Sequence, residues 1–302
     1  MKDFIFVNEG RAILPMNRAI QESYQGRFRF HDMTFEKARA YEGIRDAIVW
    51  MNMGFYYKKM PAKVIIHDYR SLSVGRGAKI KDFLKKNLVP KPHFRVSKPE
   101  IDSVMKFNDG VKTFFIDIAA KDSILNFRNL AVDSVYDYCY IGVINKERGV
   151  EKIIQRFLDQ TSNKTIIMIG AVEDDIDKEF AGNDRIKFTG RVPQEQVFSY
   201  IKQSDVCLAY FPNKYPHNRQ TPTKLLEYAC LGSRILINEQ PMNVSISEKY
   251  AINAVVRNDA RLFDSLPDLP SWKDNMEVDP TPMLFSTHLR ESGLGALLDG
   301  QA

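Results

Sequence analysis

Short apolar runs alternate with amphipathic helical segments along this chain, and this alternation constrains its fold more than any other feature. The runs VIIH at 64–67, TIIMIG at 165–170 and RILIN at 234–238 are typical of strands buried on both faces. Segments with a helical period, such as 148–160 and 193–203, lie between runs of this kind. Strands that alternate with helices form parallel sheets with helices on both faces, so the sequence predicts an α/β protein.

The alternation occurs in two series, which indicates two domains. A chain of 302 residues is long for a single core, and residues 117–134 interrupt the pattern. We therefore predict two Rossmann-like, doubly wound domains facing a cleft, one spanning residues 1–130 and the other 131–302. Within the first, the segment 35–57 is expected to form one long helix. Ligands of such sheets bind at the carboxyl ends of the strands.

Composition and charge exclude several classes of protein. No run approaches the roughly 18 apolar residues of a transmembrane helix, and MKDFIFVNEGRAIL is expected to form a strand and a turn rather than a signal peptide. The three cysteines lie in apolar contexts without metal-ligand spacing, so we expect buried, reduced thiols in a cytoplasmic protein. The net charge of +5 permits an anionic partner, but no basic motif interleaved with aromatic residues indicates a nucleic acid.

The segment TPTKLLEYACLG at 221–232 carries the clearest functional pattern. Thr221 as N-cap and Pro222 as first helical residue predict the start of a helix, and Gly232 predicts its end. Opposite the apolar stripe of this helix lie its polar residues, Thr223, Lys224 and Glu227. A helix N-terminus attracts anions, and a carboxylate one turn later suits the hydroxyls of a ribose. The segment predicts a site for a nucleotide diphosphate, with a solvated surface helix as the alternative.

Four segments together extend this interpretation. They are YIGVINKERGVEKII at 140–154, TIIMIG at 165–170, RIKFTGRVPQEQVFSYIKQSDVCLAYFP at 185–212 and TPTKLLEYACLGSRILIN at 221–238. In order and spacing they resemble the nucleotide-sugar domain of GT-B glycosyltransferases, and most of all the retaining glycosyltransferase family 4. The first half resembles the acceptor domain of that family through VIIHDYR at 64–70 and the rhythm of its elements. The resemblance implies a GT-B fold whose first domain binds the acceptor and whose second binds the nucleotide sugar.

The resemblance also implies roles for particular residues of the second half. Glu227 stands where the family binds the donor ribose, whereas Arg219 stands where the family has an earlier glutamate near the transferred sugar. Arg148 matches one member of a basic pair, and Arg191 with Val192 lies in a loop that resembles the family's base-binding loop. The complete set of donor-binding candidates in this half is Arg148, Arg191, Val192, Arg219, Thr221, Thr223, Lys224 and Glu227.

Three residues of the first half are further candidates. Gly10 follows the first strand, where a glycine lets the backbone approach a diphosphate closely. His67 and Asp68 lie at the end of the VIIH strand, where the family often has a histidine that contacts the donor sugar, and we expect both to be catalytic. No acidic pair stands where a metal-dependent transferase needs one. We therefore expect no metal and no cofactor, with the nucleotide-diphosphate sugar as donor substrate.

The resemblance implies a glycosyltransferase that moves a sugar from a UDP- or GDP-sugar to a hydroxyl of a glycan or a lipid-linked acceptor. The resemblance implies retention of the anomeric configuration and a role in the synthesis of surface polysaccharide or glycoconjugates. Two alternatives stay open, a non-catalytic relative that binds a nucleotide sugar and a nucleotide-sugar epimerase of the same fold. An inverting transferase is also open, because the fold does not determine stereochemistry.

A basic segment in the first half predicts one more partner. In the segment GRGAKIKDFLKKNLVPK at 75–91, several lysines alternate with apolar residues such as Phe83. These lysines are Lys79, Lys81, Lys85 and Lys86. A basic amphipathic helix can lie on anionic lipid, so we expect peripheral attachment to the inner face of a membrane, with a solvated basic helix as the alternative.

Overall fold

The chain divides into two compact units. Unit 1 comprises Met1–Lys121 with Leu284–Ala302, and unit 2 comprises Asp122–Met283. The computed structural model describes residues 1–9, 15–73, 75–215 and 217–301. In this described part of the chain, no helix has both the length and the apolar character that a membrane span requires.

Unit 1 is built on a six-stranded parallel sheet with the order β2-β1-β3-β4-β5-β6. Its strands are β1 (Lys2–Val7), β2 (Phe28–Met33), β3 (Ile48–Asn52), β4 (Val64–Asp68), β5 (Phe94–Ser97) and β6 (Lys112–Phe115). The helices between them are α1 (Pro15–Ser23), α2 (Phe35–Arg39), α3 (Ala78–Leu88) and α4 (Pro99–Met105). Phe4 and Trp50 pack on one face of the sheet, while Ile5 and Val49 pack on the other. Burial on both faces explains the apolar runs of β1 and β3.

The prediction of one long helix at 35–57 is wrong. Helix α2 ends at Arg39, a short 3-10 turn follows at Glu42–Arg45, and β3 then runs in the middle of the sheet between β1 and β4. The run AIVWM belongs to a strand whose two faces are both covered. Periodicity does not separate such a strand from a buried helix, which is why the sequence pattern misled here.

Unit 2 holds a second six-stranded parallel sheet, with the order β12-β11-β10-β7-β8-β9. Its strands are β7 (Tyr136–Ile141), β8 (Ile166–Ile169), β9 (Ile186–Phe188), β10 (Ser204–Ala209), β11 (Arg234–Asn238) and β12 (Ala254–Arg257). Its helices are α5 (Val150–Gln160), α6 (Asp174–Phe180), α7 (Gln194–Lys202), α8 (Thr223–Cys230) and α9 (Pro241–Lys249). The three cysteines are buried free thiols, as predicted, and Cys139 and Cys207 are register partners on β7 and β10.

The last residues of the chain return to unit 1. Helices α10 (Phe285–Glu291) and α11 (Leu294–Asp299) place Phe285 and Leu298 in the core that contains Phe4. The backbone N–H of Phe285 donates to the carbonyl of Ala120 at 2.8 Å. The units therefore differ from the division at 130/131 that the sequence suggested. The boundary lies at Lys121, and residues 284–302 belong to unit 1 because their apolar side chains complete its core.

The guanidinium of Arg128 holds the end of helix α8. Its Nη1 donates to the carbonyls of Ala229 and Cys230 at 3.1 and 2.8 Å, in the last turn of the helix. Its Nη2 donates to the carbonyls of Asn275, Met276 and Val278 at 2.9, 2.6 and 3.0 Å. Carbonyls at a helix end have no partner within the helix, so a cation there satisfies them and interacts favourably with the helix dipole. Arg128 therefore joins α8 to the segment 275–278.

We expect Arg128→Ala to lower the free energy of unfolding of unit 2 by about 2–4 kcal/mol, because hydrogen bonds from a charged donor to several carbonyls are lost at once. Urea denaturation followed by circular dichroism measures this change. The matched control is Arg261→Ala, since Arg261 is exposed and pairs with Asp264 across one helical turn. That variant should change stability by less than about 1 kcal/mol. Equal effects of the two substitutions would contradict the role of Arg128.

Candidate functional site

The candidate site of unit 2 lies at the carboxyl ends of β7 and β10. From β7 the chain proceeds to β8 and β9 on one side of the sheet, and it then returns to β10, β11 and β12 on the other side. The loops that follow β7 and β10 therefore leave the sheet in opposite directions. Ligands of open α/β sheets bind at this kind of topological switch point.

The loop after β7 is shaped by close backbone contacts. Gly170, which follows β8, has a φ of +139°, and a Cβ there would lie 2.0 Å from the carbonyl oxygen of Gly142. Only glycine allows the two loops to approach this closely. The Asn145 side chain accepts a hydrogen bond from the backbone N–H of Arg148 at 3.0 Å. This bond shapes the turn that precedes α5 and places Arg148, which is half-buried, at the end of the loop.

The loop after β10 is held by three buried amide side chains, which we call the amide cluster: Asn238, Gln240 and Asn243. Asn238 accepts from the N–H of Phe211 at 3.1 Å and donates to the carbonyl of Phe211 at 2.9 Å. Gln240 donates to the carbonyl of His217 at 3.3 Å, and Asn243 donates to Asn238 at 2.7 Å. This cluster was not predicted, although the sequence carries a signal for it: Asn238 ends the apolar run RILIN, and Gln240 and Asn243 follow within five residues.

The two loops bring positive charge together. Lys214 donates from its Nζ to the carbonyl oxygen of Glu147, which is the neighbour of Arg148. His217 is buried and packs its ring against Phe211, with the ring centroids 5.4 Å apart. Burial lowers the pKa of His217, and the charges of Arg148 and Lys214 lower it further. Among the described residues, Nδ1 of His217 has no hydrogen-bond partner. The loops therefore form a cationic surface beside a neutral imidazole, which suits an anionic ligand.

Helix α8 supplies the acidic group of the site. Its N-cap is Pro222 rather than Thr221, because Pro222 has a non-helical ψ of 87° and the helix begins at Thr223. Glu227 is only 4% exposed, and Lys224 donates to its Oε2 at 2.6 Å. This burial contradicts the alternative of a solvated surface helix. The predicted end is confirmed, since Gly232 has a φ of +76° and a Cβ there would lie 2.1 Å from the sulfur of Met276.

The other donor candidates of unit 2 lie in neighbouring loops. Arg219 is exposed and belongs to the 3-10 turn His217–Arg219, a few residues before α8. Arg191 is exposed and Val192 is half-buried, and both follow β9 at the same edge of the sheet. Thr221 is buried and precedes α8. The order of the elements thus brings all these candidates to the carboxyl edge of one sheet.

In unit 1, the two expected catalytic residues lie on opposite faces of β4, because successive side chains of a strand alternate. Asp68 accepts from Nε1 of Trp50 at 3.2 Å and forms an ion pair with Arg70, whose Nε lies 2.8 Å from Oδ1. His67 lies on the other face, where its register partner is Met51. Asp68 is thus occupied by structural partners, while His67 is the candidate that faces a cavity. Gly10 lies outside the described residues.

The environment of His67 makes it a neutral histidine. Its side chain is buried, and desolvation is the main cause that lowers its pKa to about 3. The charge of Arg95 lowers it further, while Asp109 opposes the shift. At neutral pH the ring can donate and accept hydrogen bonds, but it carries no charge.

Comparison with known proteins extends this description. No protein-family model matches the chain. A curated relative, an uncharacterised glycosyltransferase of Methanocaldococcus jannaschii, is 26% identical over 161 residues. The match covers 45% of this chain and 40% of that protein, so the chain spans about two fifths of the length of this relative.

Solved structures resemble the whole chain. A glycosyltransferase from Rickettsia africae has a TM-score of 0.63 at 10% identity and covers 99% of this chain and 98% of its own. Anabaena HepE in complex with UDP-glucose has a TM-score of 0.61 at 9% identity, and the match covers 100% of this chain and 92% of HepE. A UDP-GlcNAc 2-epimerase of M. jannaschii in complex with UDP-GlcNAc and UDP has a TM-score of 0.55 at 12% identity. The match covers 99% of this chain and 100% of the epimerase chain. These similarities show that the chain has the GT-B fold, as predicted.

We expect the free energy of unfolding to fall as the pH drops below 6.5, in part because of His67. The pKa of His67 is about 3 in the folded protein and 6.5 in the unfolded chain. Between pH 3 and pH 6.5, therefore, the imidazole takes up a proton only when the protein unfolds. The stabilisation that His67 contributes is present above pH 6.5. It is lost as the pH falls below that value, at up to about 1.4 kcal/mol per pH unit. Between pH 7 and pH 5, His67→Gln should therefore lose about 2 kcal/mol less than the native protein in urea titrations. An identical pH dependence of the two proteins would contradict this environment for His67.

Proposed function

We propose that this protein is a metal-independent glycosyltransferase of the retaining family 4 type. It would move a sugar from a UDP- or GDP-sugar to a hydroxyl of a glycan or a lipid-linked acceptor, in the synthesis of surface polysaccharide or glycoconjugates. The observation that carries this proposal is the buried Glu227, paired with Lys224 at the start of α8 and preceded by a cationic loop. The GT-B fold, the relative and the resemblance of residues 138–240 support it.

Glu227 suits the paired hydroxyls of a ribose. A carboxylate has two oxygens, each with two lone pairs, so Oε2 can accept from Lys224 while the group also accepts from hydroxyls. Hydrogen bonds to an ionised acceptor are about twice as strong as those between neutral groups. Burial removes competing water, which strengthens the interaction further. Arg191 and Val192, in the loop after β9, are the proposed contacts of the nucleobase.

The diphosphate would be bound by cations and by the N-terminus of α8. Arg148, Lys214 and Lys224 supply formal charge, and the free N–H groups of the first helical turn, with Thr221 and Thr223, add hydrogen-bond donors. When the sugar leaves, negative charge develops on the diphosphate, and groups that are already oriented stabilise it without reorganisation. These cations can neutralise the leaving group without a metal ion.

The proposed roles of unit 1 come mainly from the family resemblance. Unit 1 is assigned to the acceptor by the resemblance, and His67 to a contact with a sugar. Because its ring is neutral, His67 would act as a hydrogen-bonding group. Asp68, which the sequence suggested as catalytic, would instead orient Arg70 and the turn after β4.

A non-catalytic binder of nucleotide sugar is the second candidate function. The observation that favours it is Arg219, which stands where the resemblance places a glutamate near the transferred sugar and which is exposed. Such a binder would keep Glu227 and its affinity for the nucleotide but would not turn over the donor.

The proposed attachment to an anionic membrane involves α3. Ile80, Phe83 and Leu88 are 66%, 65% and 55% exposed, which is unusual for large apolar side chains. Lys79 and Lys81 are exposed beside them, and Lys85 and Lys86 are half-buried. Apolar residues at positions 80, 83 and 88 recur with the period of a helix face, so they can enter a bilayer surface together while the lysines meet lipid phosphates.

We expect one nucleoside diphosphate to bind the native protein and to bind Glu227→Gln at least ten-fold more weakly, since the neutral amide loses the charge-assisted bond to the ribose. The measurement is isothermal titration calorimetry with UDP, GDP, dTDP and CMP, followed by the corresponding sugars. A nucleotide at a hundred times its dissociation constant should also add about 2.7 kcal/mol to the free energy of unfolding. The control is Glu195→Gln, an exposed carboxylate on α7 in the same unit.

Four outcomes of this titration and of an assay for nucleotide release and sugar product decide between the candidates. If no nucleotide binds, the donor site is excluded. Equal affinity of the native protein and Glu227→Gln would remove Glu227 from the site. If the protein binds a nucleotide sugar but releases no nucleotide with any acceptor, the non-catalytic binder is favoured. A sugar of changed configuration, free or still attached to the nucleotide, identifies an epimerase.

We expect the protein to sediment with phosphatidylcholine vesicles that contain phosphatidylglycerol and not with phosphatidylcholine alone. The double variant Lys79→Ala/Lys81→Ala should bind about thirty-fold more weakly, because each lysine near an anionic surface contributes about 1 kcal/mol. The double variant Lys37→Ala/Lys63→Ala removes the same charge from exposed positions outside α3 and is the control. Equal losses in the two double variants would indicate nonspecific attraction and exclude α3 as the membrane surface.

A further inference from the structure

A cavity of about 390 Å³ lies within unit 1, next to the face of β4 that carries His67. Residues 56–60 from the connection between β3 and β4 and residues 89–91 from the connection between α3 and β5 form its walls. Its apolar lining includes Met51, Met60, Ile65 and Val89, and its charged lining consists of Lys58, Lys59 and Lys91. The proposed donor site of unit 2 shares none of these residues.

The cavity lies beside the connection between β3 and β4, which forms no helix. Parallel strands are usually joined by a helix that packs on the sheet. Here residues 53–63, all of which the structure describes, are irregular. Tyr56 from this segment stacks on Phe35 with the ring centroids 4.7 Å apart and covers the neighbouring part of the sheet. The face of β4 at Ile65 and His67 borders the cavity between this segment and the residues that follow α3.

The charges around the cavity select for an anion. Among the described residues that line it, three are lysines and none is a carboxylate. Lys58 forms an ion pair with Glu36 at 2.9 Å, but Glu36 is largely exposed and lies outside the lining. Lys59 is exposed, and Lys91 donates only weakly to the carbonyl of Asp109, at 3.4 Å. The positive charge at the cavity is therefore incompletely compensated, and an anionic group would be attracted to it.

The rest of the lining is mainly apolar, so most of a ligand that fills the cavity should be apolar as well. Methionine side chains adapt to ligands of irregular shape, and aliphatic residues favour alkyl or ring carbons over water. A volume near 390 Å³ is in the range of sites for small organic ligands. An inorganic anion would leave the apolar surface hydrated, whereas a neutral hydrocarbon would leave the lysines without a counter-charge.

We propose that this cavity binds an amphiphile that consists of a phosphate or carboxylate head group on an apolar chain or ring. The lysines bind the head group, and Met51, Met60 and Ile65 contact the apolar part. The role of this ligand as the sugar acceptor rests on the proposed function, but its binding does not. Helix α3, with its exposed apolar and basic residues, ends at Leu88, directly before lining residue Val89, so a ligand could reach the cavity from a lipid surface.

The test is isothermal titration calorimetry of the full chain with monomeric decyl phosphate, decanol and inorganic phosphate. Decyl phosphate should bind at least ten-fold more tightly than either of the others, since only it satisfies both parts of the lining. The double variant Lys59→Ala/Lys91→Ala should weaken the binding of decyl phosphate about ten-fold and leave the binding of decanol unchanged. The double variant Lys37→Ala/Lys63→Ala, with the same change of net charge, should bind like the native protein.

Ile65→Trp, which fills the cavity, should abolish the binding of both decyl phosphate and decanol. Its fold is checked by circular dichroism and by urea denaturation, which must show the cooperative transition of the native protein. Inorganic phosphate that binds as tightly as decyl phosphate would overturn the proposal, as would equal losses in the two double lysine variants. Nucleotide binding that fails while decyl phosphate still binds would overturn the donor site alone, so the two proposals fail separately.

Discussion

The position of helix α8 depends on the guanidinium of Arg128, and the candidate site of unit 2 depends on that helix. Arg128 satisfies two carbonyls of the last helical turn and three carbonyls of residues 275–278. Gly232, in a left-handed conformation against Met276, lets the chain turn directly after the helix. With its carboxyl end fixed in this way, α8 can hold a buried carboxylate at a defined position.

That buried carboxylate is costly for the fold. Ion pairs taken out of water often contribute little to stability, because the desolvation of both groups offsets their attraction. Lys224 stays partly exposed, whereas Glu227 does not, so the pair is asymmetric. The amide cluster has a complementary role, since it fixes the backbone of the loop after β10 without adding charge.

Unit 1 illustrates how strand geometry separates residues that are adjacent in sequence. His67 and Asp68 are neighbours, yet one faces the cavity and the other binds Trp50 and Arg70 on the opposite face. A pattern that treats the two as one catalytic pair does not take this alternation into account. The same unit shows the consequence of a missing crossover helix. Residues 53–63 replace it, and the sheet face at β4 borders a cavity beside them.

The sequence by itself determined the α/β class, the parallel sheets and the end of α8 at Gly232. These features are encoded locally, because burial on two faces produces apolar runs and a left-handed position requires glycine. It did not determine the strand at Ile48–Asn52, where one apolar run suits a helix or a strand equally well. Only the tertiary structure decided that Arg128 joins α8, that the amide cluster holds the loop after β10, and that residues 284–302 complete the core of unit 1. Each of these depends on contacts between residues far apart in the chain, and no local pattern records which distant partner a side chain will meet.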